Sequence, residues 1–98
     1  MSDIQKLEEL RSKIDIIDTK ILELLIQRED FAAEIGNIKK SSQKEIFDRS
    51  RESKVFSNLK LKCSEEKIDF EYIKDIWNII INKSREVQIR GKKREGLD

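Results

Sequence analysis

Apolar residues recur at alternating intervals of three and four along the first forty positions of the chain. We call this row the apolar seam, and its members are Ile4, Leu7, Leu10, Ile14, Ile17, Ile21, Leu24, Phe31, Ile35 and Ile38. The spacing is that of one face of an amphipathic helix, and Arg28 takes the remaining slot. With Ser2 or Asp3 as its N-cap, the pattern predicts a single helix from Asp3 to Lys39, about 55 Å long.

Such a helix exceeds the diameter of a globule built from 98 residues. Residues 21–26 are also apolar on more than one side of the helix, so they need cover from two directions. The rest of the chain is too short to provide that cover. We therefore expect a homodimer in which long helices pack on one another, because a monomer would leave much of the apolar seam in water.

A second, shorter helix is predicted after a loop at residues 41–45. It runs from about Asp48, which is a suitable N-cap, to Cys63. Its inner face carries Val55, Leu59 and Cys63. Residues 64–68 are predicted to form the next loop.

A third helix is predicted with Asp69 as its N-cap and Gly91 as its end. Its apolar stripe consists of Phe70, Ile73, Trp77, Ile80, Ser84 and Val87, of which Ser84 is the exception. The fold class is therefore all-α, with three helices per chain. One domain is expected over residues 1–90, followed by a polar, frayed tail at residues 91–98.

The composition narrows the class of protein further. Lys and Arg number 21 against 20 Asp and Glu, so the net charge of +1 argues against a nucleic-acid or acidic-membrane partner. The sequence has no His, and its single Cys63 can form neither an internal disulfide nor a thiolate metal cluster. No apolar run approaches the roughly 20 residues of a membrane span. We expect a soluble, cytoplasmic protein that binds no metal or cofactor.

Arg28 and Lys39 are the first candidate ligand-binding residues. Burying an unpaired guanidinium is unfavourable, so an anion must meet Arg28 if it is buried. A salt bridge to a neighbouring helix, or a side chain that reaches solvent, explains Arg28 as well as a carboxylate or phosphate ligand does. Lys39 lies about 16 Å further along the helix and about 20° around it. Together the two side chains can grip a small ligand, although a solvated Lys favoured by the helix dipole is the simpler account of Lys39 alone.

Arg11 cannot belong to the same pocket within one chain. It lies about 25 Å from Arg28 along the helix and about 100° around the axis. In an antiparallel dimer it can reach the partner's pocket. By itself, Arg11 is explained as an ordinary exposed Arg.

Five more polar residues fall on the two shorter helices. Asp48, Arg51 and Glu52 face one way, and an internal ion-pair cluster is their simplest account, although a ligand with a hydroxyl group would also engage the carboxylates. Ser84 and Gln88 lie one turn apart on an Ile-rich face; a Ser can bond its own backbone, but the pair together favours a ligand. Because the sequence has no Ser–His or Cys–His pair and no glycine-rich phosphate loop, any catalysis would depend on positioning and electrostatics.

Five fragments of the chain stand in a familiar order. They are LRSKIDIID at 10–18, LLIQR at 24–28, IGNIK at 35–39, IFDRSRE at 46–52 and SREVQ at 84–88. In this order and spacing they resemble the all-helical, AroQ-type chorismate mutases over roughly residues 7–88. One departure is Arg49, where the family often has Pro. The match is nearest to the short, dimeric, single-domain mutases.

The resemblance implies an intertwined homodimer of three-helix chains with two equivalent pockets. It implies the [3,3] (Claisen) rearrangement of chorismate to prephenate, a step of phenylalanine and tyrosine biosynthesis. This rearrangement is concerted and uses no covalent enzyme intermediate, proton transfer, metal or cofactor. The absence of a nucleophile and of His from the sequence agrees with that chemistry.

The resemblance also implies roles for the candidate residues. Arg28 and the partner's Arg11 would bind the two carboxylates of chorismate, while Lys39 and Gln88 would donate hydrogen bonds to its ether oxygen. Glu52 would contact the ring hydroxyl, with the backbone of Asp48 nearby. Arg51 would order the start of that helix, and Ser84 would form a hydrogen bond near the ring carboxylate.

Two alternatives remain open from the sequence. Isochorismate–pyruvate lyases resemble these mutases and use a similar cationic pocket, although Ser84 and Glu52 favour the mutase. A non-catalytic helical dimerisation module would also explain the apolar seam, with Arg28 setting the register of the helices. In that case no common function would explain the four polar residues Arg28, Lys39, Ser84 and Gln88.

Overall fold

Three α-helices make up the fold in the computed structural model, which describes residues 1–91. They are α1 (Asp3–Ser41), α2 (Arg49–Glu66) and α3 (Phe70–Arg90). No strand occurs within residues 1–91. The all-α prediction is therefore confirmed. The polar tail predicted at residues 91–98 falls, apart from Gly91, outside the described residues.

The predicted helix starts coincide with capping side chains. At the start of α1, the hydroxyl of Ser2 accepts a hydrogen bond from the backbone N–H of Gln5 at 3.1 Å. The side chain of Gln5 in turn accepts one from the N–H of Ser2 at 2.9 Å, which completes a capping box. Asp48 and Asp69 accept backbone N–H groups in the same way at the starts of α2 and α3.

Two helix ends differ from the sequence prediction. The first helix continues two residues beyond Lys39, to Ser41. The second continues beyond Cys63 to Glu66, so the loop predicted at residues 64–68 is too long. Polar side chains explain the extension of α2, because Lys62 forms ion pairs with Glu65 and Glu66, three and four residues further on. The helix ends where Lys67 adopts a left-handed conformation, with φ of 57°.

The contact between α1 and α3 is made by small residues. Ala32, Ala33 and Gly36 of α1 are buried, and Val87 of α3, which is 2% exposed, packs among them. This row lies beside the apolar seam, whose neighbouring member Phe31 is 62% exposed. The seam is thus not the face that α1 buries within its own chain.

Gly36 allows the backbones of the two helices to approach closely. A Cβ atom at this position would lie 2.2 Å from the carbonyl oxygen of Gln88, well inside van der Waals contact. The neighbouring atoms belong to backbone, so they cannot rotate away as a side chain would. A residue without a Cβ is therefore required where α1 crosses α3.

The N-terminal half of α1 stands clear of the other two helices. Every residue from 1 to 20 is exposed, including seam members such as Ile4 at 74% and Ile14 at 55%. The chain extends over 61 × 41 × 15 Å, which is the shape of a long helix flanked at one end. The single chain has the exposed stripe expected of an isolated protomer, and the homodimer stays a prediction. Within residues 1–91, the helices lack the length of apolar sequence that a membrane crossing requires.

Replacing Gly36 should destabilise the fold despite the better helix propensity of Ala. We expect Gly36→Ala to lower the free energy of unfolding by about 2 kcal/mol or more, because the added methyl group meets the backbone of Gln88. Urea unfolding at one fixed protein concentration measures the change. The exposed Lys40→Ala, on the same helix, should shift the value by less than about 1 kcal/mol. Equal stability of the Gly36→Ala and wild-type proteins would contradict the proposed close approach.

Candidate functional site

A cavity of about 460 Å³ lies where the three helices meet. Its wall contains the C-terminal half of α1, the start of α2 and the C-terminal half of α3. Of the eight residues selected from the sequence, seven line it: Arg28, Lys39, Asp48, Arg51, Glu52, Ser84 and Gln88. The structure thus brings together residues that are up to sixty positions apart in the chain.

Helix geometry explains how one wall of the cavity is built. Arg28 and Lys39 are three turns apart on nearly the same side of α1. Ser84 and Gln88 are four residues apart on α3, which places them on one face. Because α3 packs closely on α1, each residue of the first pair meets one of the second. The N-cap Asp48 fixes the start of α2 at the remaining side of the cavity.

Lys39 is held in place by two hydrogen bonds. Its Nζ donates to the carbonyl oxygen of Ile46 at 2.8 Å and to Oε1 of Gln88 at 2.8 Å. An ammonium group has three donors, so one N–H of Lys39 has no partner among residues 1–91. The amide oxygen of Gln88 accepts the bond from Lys39, and the amide N–H groups of Gln88 donate to no acceptor within residues 1–91. Donors of both residues are therefore available to a ligand.

Arg28 is half-buried without a carboxylate partner. It donates a hydrogen bond to Oγ of Ser84, and it forms no ion pair within residues 1–91. Burial, and secondarily the positive charge of Arg51, lower the pKa of the Arg28 guanidinium from its usual value. The internal salt bridge that the sequence left open for Arg28 is thus not formed in the described part of the chain. An anion in the cavity would relieve both unfavourable effects.

Positive charge exceeds negative charge on the cavity wall. The wall carries the cations Arg28, Lys39, Arg51 and Arg85 and the carboxylates Asp48 and Glu52. Arg85 pairs with Glu52, whereas Arg28, Lys39 and Arg51 make no ion pair within residues 1–91. Such an arrangement is suited to a ligand with two negative charges.

The cluster at the start of α2 is organised differently from its simplest sequence interpretation. Asp48 accepts a hydrogen bond from the backbone N–H of Arg51 at 3.0 Å, and no ion pair forms inside the cluster. Glu52 pairs instead with Arg85 of α3. Sequence reasoning missed Arg85, because it lies beside the apolar stripe of α3 and not in it. Its position between Ser84 and Gln88 was the one signal that could have pointed to it.

Arg11 lies outside this cavity. Its side chain is 63% exposed and pairs with Glu8 at 3.2 Å on the same helix. The distance from Arg28 estimated from the sequence already excluded a shared pocket within one chain.

Among residues 1–91, no group of three or more Cys, Asp or Glu side chains is arranged to hold a metal ion.

The three helices and their cationic cavity define a class of all-helical ligand-binding site, and comparisons with known proteins identify its family. Residues 10–89 match the family described as chorismate mutase type II, and the chain belongs to that family. A chorismate mutase of Methanocaldococcus jannaschii is 34% identical over 85 residues, which are 87% of this chain and 86% of that protein. The family expected from the resemblance is confirmed, and so is the all-α fold with three helices per chain.

Longer relatives match over only part of their length. The bifunctional chorismate mutase/prephenate dehydratase of Escherichia coli K12 is 33% identical over 75 residues, which are 76% of this chain and 19% of that protein. The T-protein of Haemophilus influenzae is 25% identical over 84 residues, which are 86% of this chain and 22% of that protein. The chain thus spans about one fifth of each of these two proteins.

The hydrogen bond that caps the start of α2 should make a measurable contribution to the free energy of unfolding. We expect Asp48→Ala to lower the free energy of unfolding by about 1 kcal/mol, because the backbone N–H of Arg51 loses its acceptor. Asp48→Asn keeps an oxygen acceptor and should lose much less. Urea unfolding of the three proteins gives both values. Equal losses in the two variants would mean that the charge of Asp48, and not its capping bond, is what stabilises the helix start.

Proposed function

We propose that the protein catalyses the rearrangement of chorismate to prephenate and contributes to the biosynthesis of phenylalanine and tyrosine. The observation that carries this proposal is a set of three cations on the wall of one cavity, Arg28, Lys39 and Arg51, which form no ion pair within residues 1–91. Chorismate is a dicarboxylate, and its size suits the cavity. The name of the archaeal relative, chorismate mutase, supports the same reaction.

Positioning is the first part of the proposed mechanism. The rearrangement requires a conformer of the substrate in which the enolpyruvyl side chain is folded over the ring. This conformer is a small fraction of the substrate free in solution. Arg28 binds one carboxylate as a planar, bidentate donor. Ser84 accepts a hydrogen bond from Arg28 and lies near the ring carboxylate of the substrate. Holding the two reacting ends together in this way removes much of the entropic part of the barrier.

Electrostatic stabilisation is the second part. Negative charge grows on the ether oxygen as its C–O bond stretches. The remaining N–H of Lys39 and the amide N–H groups of Gln88 are donors for that oxygen, and the bond between these two side chains fixes their orientation before the substrate arrives. A preorganised donor stabilises the transition state more than the ground state. Lys39 and Gln88 are therefore the proposed catalytic residues.

The start of α2 completes the proposed pocket. Glu52 accepts a hydrogen bond from the ring hydroxyl, and the backbone at Asp48 lies near the same group. Arg51 donates its backbone N–H to the cap and adds positive charge beside Arg28. No side chain in this group transfers a proton, so the mechanism needs neither a general acid nor a general base.

The proposed active form is an intertwined homodimer. The exposed apolar seam supports it, because residues such as Leu10, Ile14 and Ile17 have nothing packed on them within residues 1–91. A second cavity, of about 240 Å³ and lined largely by Leu and Ile, also borders Arg28 and Ser84. A partner helix in this region would extend the pocket and would bring the partner's Arg11 to the second carboxylate.

The free cysteine and the proposed substrate bear on the cellular location of the enzyme. We propose a cytoplasmic location, in keeping with a free Cys63 and a small soluble substrate. Neither a nucleic acid nor a membrane is a proposed partner.

Lys39→Ala should inactivate the enzyme without unfolding it. We expect kcat to fall by about 10² to 10³-fold, because one preorganised donor to the ether oxygen is lost. The loss of chorismate absorbance measures turnover, and Lys40→Ala removes an equal charge from the next position as a control. Wild-type activity in Lys39→Ala would contradict the assignment. Formation of salicylate from isochorismate, with no prephenate from chorismate, would instead indicate a lyase on the same fold.

Mixing two inactive variants should restore activity if Arg11 acts across the dimer. We expect Arg11→Ala and Arg28→Ala each to lose most activity, because each removes a carboxylate-binding cation. After unfolding and refolding together in equal amounts, heterodimers contain one pocket with both Arg residues, so about one quarter of wild-type activity should return. Sedimentation equilibrium checks that the species is a dimer. No recovery from a mixture shown to contain heterodimers would place Arg11 outside the partner's pocket.

A further inference from the structure

Arg85 is a cation of the cavity wall for which the proposed mechanism has no role. It lies on α3 directly after Ser84 and three residues before Gln88. Its Nε donates a hydrogen bond to Oε2 of Glu52 at 2.8 Å, and its Nη2 donates another to Oε1. Both oxygens of one carboxylate are therefore held by one guanidinium, which is the strongest and most directional form of this ion pair.

Two further contacts fix the position of Arg85. Its Nη1 donates a hydrogen bond to Oδ1 of Asn82 at 3.3 Å, and its guanidinium carbon lies 4.4 Å from the centroid of the Phe47 ring. The Arg85 side chain is 35% exposed, whereas the Glu52 side chain is only 19% exposed. The hydrogen bond to Glu52 raises the pKa of the Arg85 guanidinium, which strengthens its hold on the charge.

Glu52 has an electrostatic conflict that this pair resolves. An unpaired carboxylate at the wall would repel a ligand that itself carries two carboxylates, and partial burial would strengthen that repulsion. A neutral acceptor would avoid it, yet a carboxylate accepts a stronger hydrogen bond from a hydroxyl group. Each carboxylate oxygen has two acceptor sites, so Glu52 can bond Arg85 and still accept from a ligand.

We propose that Arg85 is a positioning residue that determines the specificity of this site for a hydroxylated dicarboxylate. By neutralising Glu52 and fixing the orientation of its carboxylate, Arg85 lets Glu52 accept a hydrogen bond from a ring hydroxyl without repelling the dianion. This inference rests on the proposed function for the identity of the ligand. It assigns Arg85 no contact with the reacting atoms, so its effect is on binding more than on the chemical step.

A double-mutant cycle tests this inference. The proteins are wild type, Arg85→Leu, Glu52→Gln and the double variant, and the measurements are KM and kcat for chorismate and the Kd of prephenate by titration calorimetry. We expect Arg85→Leu to raise KM and Kd by about tenfold or more, with a smaller change in kcat, because Glu52 becomes an uncompensated charge. The double variant should return to within about threefold of wild type, because the amide of Gln carries no charge.

Matched variants separate this role from a purely structural one. Arg49→Leu removes a guanidinium that also lies over Phe47, at 5.7 Å, and it should change KM by less than about threefold. Arg85→Gln keeps a hydrogen-bond donor but no charge, so it should raise KM as Arg85→Leu does, and it carries the test if Arg85→Leu does not fold. All constants are compared well below the Tm of each variant, so that loss of folded protein does not enter.

Two results would overturn the inference. One is a double variant with KM and Kd as high as those of the Arg85 single variants, which would indicate direct contact between Arg85 and the ligand. The other is an equal effect of Arg49→Leu. Failure of the wild type to convert chorismate would overturn the proposed function alone, and the Kd values of prephenate would then decide on Arg85. A wild type that neither converts chorismate nor binds prephenate would overturn both.

Discussion

The close approach of α1 and α3 at Gly36 is the constraint on which the rest of the site depends. Because this position has no side chain, the backbone of α3 lies directly against α1 at Gln88. The same approach brings Ser84 to Arg28 and the Gln88 side chain to Lys39, so two hydrogen bonds between the helices bracket the contact. A wider separation would break both bonds and would leave the cations without their positioning partners.

The rest of α1 follows a different principle. Its N-terminal half carries most of the apolar seam, and every residue from 1 to 20 is exposed in the described part of the chain. In the proposed homodimer, one helix thus combines two functions: its C-terminal half forms part of the wall of the cavity, and its N-terminal half provides a surface for assembly. A helix shorter than α1 could not do both.

Local rules predicted the helices well, and tertiary packing decided what those rules could not. The caps at Asp48 and Asp69 and the end at Gly91 depend on backbone groups a few residues away, so they are readable from the sequence. The face that α1 buries is not readable in this way, because small residues such as Ala33 give little hydrophobic signal. Arg85 was missed for a related reason. Its role in the site depends on an ion pair with Glu52, which lies thirty-three positions earlier and comes within hydrogen-bond distance only in the folded chain.

The distribution of charge on the cavity wall agrees with the proposed mechanism, which uses neither a nucleophile nor a general acid. Burial, and secondarily the positive charge of Arg51, lower the pKa of the Arg28 guanidinium, so a bound anion would stabilise the charge of this side chain. Lys39 is different, since the carbonyl of Ile46 and the oxygen of Gln88 already share its charge. In the proposed mechanism Arg28 contributes ground-state binding of a carboxylate, while Lys39 and Gln88 respond to the charge that appears only as the ether bond breaks.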